Sequence, residues 1–128
     1  MLDLTQLTVF NLAECSSLSN AGALLIGAHC QNLTHLSLCW CWQIDDTGML
    51  AIVEMCSKMV ETDLTGLHQL TGNVFLLIPT KMPDFSLLKL EMCNETDDDV
   101  LNMVVLQMRG KLEIVNYYCE TLVYQANE

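Results

Sequence analysis

Cys15 and Cys41 stand 26 residues apart, and Cys30 and Cys56 repeat the same interval at another phase. Two coincident intervals mark an internal repeat. Laid out at that period, the first unit carries Leu7, Phe10, Leu12, Cys15, Leu18, Gly22, Ile26 and Cys30. The second refills the same columns with Leu33, Leu36, Leu38, Cys41, Ile44, Gly48, Ile52 and Cys56. A third unit places Met59, Leu64, Leu67, Leu70, Ile78 and Met82, and a fourth Phe85, Leu88, Leu90, Cys93, Val100, Val104 and Met108. After one extra residue a fifth unit begins with Leu112, Val115 and Tyr117. Fixed self-similarity at this period is the signature of a solenoid, in which each unit buries its apolar face only against its neighbours.

The spacing L-x-x-L-x-L-x-x-C puts alternating inward residues on a short strand, because side chains alternate at period 2, and then turns at the cysteine. Ala21 to Cys30 and Thr47 to Cys56 follow with apolar residues at three- and four-residue spacing, which predicts a helix. Asn20, Asp46 and Asp98 share the column at the helix start, where a short side-chain oxygen can accept from a free helix N–H and a negative charge meets the positive end of the dipole. Each unit is thus expected to be a strand, a turn and a helix.

Leu33, Leu36, Leu38, Cys41, Ile44, Asp46, Gly48, Met49, Ile52 and Cys56 together resemble the cysteine-containing leucine-rich repeat of F-box leucine-rich-repeat proteins. The resemblance runs along all of residues 1–128, as about four repeats of 26 residues plus a terminal strand. It implies an α/β leucine-rich-repeat solenoid, with short parallel strands on a concave face and helices on a convex one. It also implies a non-catalytic protein-binding module, the substrate-recognition part of an F-box subunit of an SCF-type E3 ubiquitin ligase. Partner subunits would transfer the ubiquitin, and the ligase scaffold would be engaged through an F-box that residues 1–128 do not contain. The alternative is a stand-alone repeat scaffold or inhibitor unconnected to ubiquitin. Repeat three departs most: Leu67 replaces the turn cysteine, Val74 the glycine and Met82 the helix cysteine. Pro79 and Pro83 fall where its helix should end, so a short helix broken near Ile78 is expected.

Composition narrows the function. A net charge of -11 argues against nucleic acid, whose phosphates demand a basic stripe, and favours a basic or neutral protein partner. No apolar run reaches the length of a membrane span, and Asp3 sits where a signal peptide would want basic residues, so cytosol or nucleus is expected. The cysteine count of 7 is odd and the repeat columns hold Cys15, Cys30, Cys41, Cys56 and Cys93, which predicts reduced, buried thiols. His29, His35 and His68 occupy different phases and have no nucleophile to converge on, so no catalytic residue and no cofactor is assigned. Cys39-Trp40-Cys41-Trp42 offers two thiols to a metal, but zinc needs two further ligands, and no metal site is assigned. Between Glu14 and Asp45 lie 30 residues with no Lys, Arg, Asp or Glu, which include the whole first helix. Leu2, Leu4 and Leu7 read as part of an incoming unit, with no polar cap at either end of the array.

The repeat offers a surface. Positions between the core columns stack across neighbouring strands: Val9, His35, Glu61, Leu87 and Ile114 in one column, Asn11, Ser37, Asp63, Lys89 and Asn116 in the next. A third column reads Ala13, Cys39, Thr65, Glu91 and Tyr118. At the turn edge stand Trp40 and Trp42, in phases that elsewhere take Glu14, Gly66 and Met92, or Ser16, His68 and Asn94. The fold does not demand tryptophan there, and tryptophan is enriched at binding hot spots. A protein partner is therefore expected on His35, Trp40, Trp42, Glu61, Asp63, Lys89, Glu91 and Tyr118. Packing against the neighbouring loop is the competing role for the two tryptophans.

Overall fold

A computed structural model of the chain describes residues 4–125. Five three-residue strands, β1 (Val9–Asn11), β2 (His35–Ser37), β3 (Glu61–Asp63), β4 (Leu87–Lys89) and β5 (Glu113–Val115), pair in parallel and in chain order. The register is the sequence period itself: Val9 faces His35, His35 faces Glu61, Glu61 faces Leu87, and Leu87 faces Glu113. Parallel strands need a crossover, and here α1 (Asn20–His29), α2 (Asp46–Met55), α3 (Ile78–Lys81) and α4 (Asp98–Met108) supply it. The helices pack in sequence along one side of the sheet. Leu33, Leu36, Leu38, Ile44 and Ile52 of the second unit are buried between the two layers, as are their counterparts in the next two apart from Thr96, which is half-buried. Each fully buried leucine is worth about 1.5–3 kcal/mol relative to exposure, so the columns supply most of what holds a unit to its neighbour.

The last step of the register corrects the sequence expectation. No extra residue enters the sheet before the fifth strand, since Leu88 faces Ile114 and Lys89 faces Val115. Arg109 and Gly110 end α4 in left-handed conformation and absorb the irregularity in the loop. Ile114 and Asn116, placed outward by the sequence, are buried in the core columns. Asn116 is satisfied there: its amide nitrogen donates to Asp98 at 2.9 Å, and its oxygen accepts from the amides of Tyr118 and Glu120. The chain then reverses, and β6 (Thr121–Leu122) pairs antiparallel with β5. The array therefore has a covered edge at this end, contrary to the uncapped end the columns suggested.

The helix starts also differ in an instructive way. The residues at the N-caps are Ser19, Asp45 and Asp97, one position before the expected column. Asn20, Asp46 and Asp98 instead reach into the following unit. Asn20 Oδ1 accepts from the amides of Asp45 and Gly48, and Asp46 accepts from the amides of Thr71, Gly72 and Val74 and from the Thr71 hydroxyl. Each helix start in the middle of the array is thus closed by a side chain 25 to 28 residues upstream.

In repeat three a 3-10 turn over Asn73–Leu77 leads into α3 at Ile78. Pro79 lies in the first turn of α3, where no amide hydrogen is needed, rather than at its end. Helix geometry stops at Lys81, ahead of the Met82–Pro83 bond. Phe75 fills the space, fully buried beside Val74 and Ile78. At α1 and α2 the axes come close because Gly27 lies against the backbone of Ala51, where a Cβ would come within 2.8 Å of a carbonyl oxygen.

Four of the five repeat-column cysteines are buried, but Cys15 is exposed. The reason lies in the unit-to-unit contact: Cys41 donates its thiol to the Leu12 carbonyl at 3.2 Å, and Cys93 to the Leu64 carbonyl at 3.0 Å. Both carbonyls belong to the preceding unit. Among the described residues no such unit stands before Cys15.

Candidate protein-recognition surface

The side of the sheet turned away from the helices carries the outward strand residues in three ranks. Pairing sets His35 beside Glu61 and Asp63 beside Lys89. The strand ends tie down part of this face: Asp63 accepts from the amide and the hydroxyl of Thr65 at 3.0 and 2.7 Å, and Asn11 accepts from the amide of Ala13. Asp63 is thus fixed in orientation by its own turn. His35 accepts or donates at Nδ1 to the Thr34 hydroxyl at 2.9 Å. A shallow depression runs over β1 to β3, lined by Val9, Asn11, His35, Ser37, Glu61 and Asp63. Val9, which lies in the outward column though not among the expected contact residues, adds an exposed isopropyl group to this floor, and Phe10 and Leu36 also line it.

At the rim the chain turns sharply. Glu14, Trp40, Gly66 and Met92 all have positive φ, +66°, +64°, +85° and +63°. The left-handed residue is a built-in feature of the turn, and only Gly66 signals it in the sequence. It throws the Trp40 ring sideways over the next unit, where the ring covers Gly66 so closely that a Cβ there would fall inside it. The same ring meets His68 at 5.7 Å between centroids. Trp40 does pack on the neighbouring loop, yet 40% of it stays exposed, and Trp42 is 46% exposed. The two tryptophans form an aromatic rim at one end of the sheet.

Glu91 lies on the third rank, where its carbonyl accepts from the Gly66 amide. Tyr118 does not share that rank. The Met92 amide donates to the Tyr117 carbonyl, so Tyr117 takes the place beside Glu91, and Tyr118 moves into the hairpin turn, 73% exposed with its ring edge-on to Tyr117. The fifth strand contributes Glu113 and Val115 to the face instead of Ile114 and Asn116.

Cys39 is half-buried, accepting from the Ser37 hydroxyl at 3.3 Å, while Cys41 turns into the core. Burial pushes both thiols above their ordinary range. Among the described residues no cluster of three or more His, Cys, Asp or Glu side chains gathers in metal-holding geometry, and no helix is long and apolar enough to cross a membrane.

Residues 29–53, which span β2, the tryptophan turn and most of α2, match the family described as Leucine Rich repeat. The fold is a leucine-rich-repeat solenoid. Among solved structures the chain resembles one in the crystal structure of the Rad7 and Elc1 complex in yeast, with a TM-score of 0.67 and 21% identity. The similarity covers 84% of this chain and 27% of that one, so the solenoid spans about a quarter of the protein it matches. Leucine-rich repeats of this kind are binding modules for other proteins.

Proposed function

We propose that this solenoid recruits a protein substrate on its sheet face as the substrate-recognition part of an F-box subunit of an SCF-type ubiquitin ligase, with the tryptophan rim as anchor. The observation that carries the reading is the exposure of Trp40 and Trp42 side by side with a mixed rank of His35, Glu61, Asp63, Lys89 and Glu91. Large rigid aromatics supply binding energy at little entropic cost, and the charges around them set specificity and association rate. The excess of acid over base favours a partner segment that is basic or neutral. The ligase assignment leans on the cysteine columns. Cys41, Cys56 and Cys93 donate to carbonyls of the preceding unit, a role matching the repeat class that the sequence resembles. The similar yeast chain also belongs to a two-protein complex, in keeping with an adaptor role.

The test is capture of ubiquitylated proteins from cells by the native chain and by Trp42→Ala. The reading expects a discrete set of ubiquitylated proteins that Trp42→Ala loses at unchanged melting temperature. Identical capture by both, with Trp42→Ala folded, would remove the rim from the binding site. Capture of partners that carry no ubiquitin and do not change when ubiquitin transfer is blocked would favour a scaffold unconnected to ubiquitin.

A further inference from the structure

The outer sides of the helices carry a column of their own. Leu24, Leu50 and Leu76 occupy one phase of the repeat in three successive units, and they are 49%, 40% and 38% exposed. Unit four places Asn102 at that phase, also exposed, so the fold does not require leucine there. Nor does the exposure come from the ends of the array, since Leu50 and Leu76 belong to units with a packed neighbour on either side. The column persists where the local structure changes: Leu24 and Leu50 stand on α1 and α2, but Leu76 on the 3-10 turn of repeat three. Ala21 and Ala28 flank Leu24 without a charge, whereas a solvated helix face usually carries some. The charges around the column are uneven. On the helix-start side lie Asp45 and Asp46, whose partners among the described residues are backbone amides, Asn20 and the Thr71 hydroxyl, none of which brings a positive charge. On the helix-end side exposed Lys58 and Lys81 offset Glu54 and Asp84. Beside Leu50 a shallow depression opens toward unit three, lined by Val74, Thr47, Thr71, Asn73 and Asp46.

We propose that the leucine column docks an amphipathic helix of a partner protein, laid across α1, α2 and the 3-10 turn, with lysine or arginine along the flank that faces the helix starts. Packed helices stand about 8–10 Å apart and a helix rises about 1.5 Å per residue, so one apolar residue in about every seven of the partner meets successive leucines. A partner segment of about 15–18 residues spans all three. At the level of Leu50 its basic side chain lays an apolar stem along Leu50 and Val74 and brings the charge to Asp46. A second copy of this chain does not suit the column. Its net charge is -11, and of the described α-helices only the four-residue α3 contains a lysine or arginine. The site lies on the helix side of the solenoid and is independent of the sheet face and its tryptophan rim.

The probe is a synthetic helical peptide of about 18 residues with leucine at every seventh position, lysine along one flank and glutamine elsewhere. Titrated into the intact chain and followed by methyl NMR, it should shift the methyls of Leu24, Leu50 and Leu76 and leave those of Val9 and the Trp42 indole unmoved. Leu50→Ser and Leu76→Ser should each weaken the peptide about tenfold or more while moving the melting temperature by no more than about 2 °C. Trp42→Ala should leave peptide affinity unchanged, so this site and the sheet-face site fail separately. Added salt should weaken the lysine peptide, and a peptide with glutamate in place of lysine should not bind. No binding of the lysine peptide, equal binding of the glutamate peptide, or shifts at Val9 and Trp42 in place of the leucine column would overturn the proposal. So would a sedimenting dimer of the chain that shields the Leu50 methyls, since the occupant would then be a second copy. Should a serine variant not fold, the methyl shifts of the native chain and the comparison of the two peptides still decide.

Discussion

At Cys56 and Cys93 burial pushes the thiol from its ordinary 9.0 up to about 11. A group whose folded pKa is raised holds its proton after the unfolded chain has released it. Stability is therefore untouched below pH 9, and falls between pH 9 and about 11 as the unfolded state gains from ionising. Urea melts across this range should show the decline, and Cys56→Ala should make it shallower, with Cys93 supplying the remainder, while lowering stability at neutral pH. Thiol labelling should run Cys15 and Cys119 first, then Cys39, with Cys41, Cys56 and Cys93 last. Cys41→Ser shortens the reach to the Leu12 carbonyl and should cost about 1–3 kcal/mol in denaturant melts. The two tryptophans separate by the same logic. Trp42→Ala, on an exposed ring, should move stability by no more than about 0.5 kcal/mol and cost a bound partner about 2 kcal/mol or more in titration calorimetry. Trp40→Ala should lose stability as well, because its ring roofs Gly66 and meets the His68 ring at a tilt.

Among the elements, the helix starts are where neighbouring units depend on one another. Asp46→Ala removes the acceptor of four donors in unit three and should cost about 1–2 kcal/mol in chemical denaturation. Hydrogen exchange should place the loss at Thr71 to Val74, not in α2, where Asp45 still caps Thr47. The strand-turn-helix unit was legible because the same apolar columns return at one interval. The direction in which Asn20, Asp46 and Asp98 work was not, since spacing within one unit carries no information about bonds to the next. Left-handed turn residues stayed hidden for a related reason: Glu14, Trp40 and Met92 hold a conformation that only Gly66 betrays. Thr62 and Asn116 sit buried in apolar columns, so they read as drift. The fifth strand was misplaced because Leu112 is buried one position late, which the Arg109–Gly110 bend permits without shifting the sheet. That shift alone moved Ile114, Asn116 and Tyr118 to the wrong ranks of the candidate surface.

On the scale of the molecule the two sheet edges are unlike. Antiparallel β6 and the Asn116 network cover β5, while among the described residues β1 is paired on one edge only, and open edges invite pairing with other chains. Removing everything after Glu120 should uncover β5 and turn a tractable protein into a self-associating one, read by light scattering against the intact chain. Between those ends every strand is three residues long and touches only the strands before and after it. A force applied along the stack therefore loads one interface at a time instead of shearing a common core. Stretched between its termini, the protein should behave as a chain of weak springs in series, yielding in small successive steps that begin at the open edge.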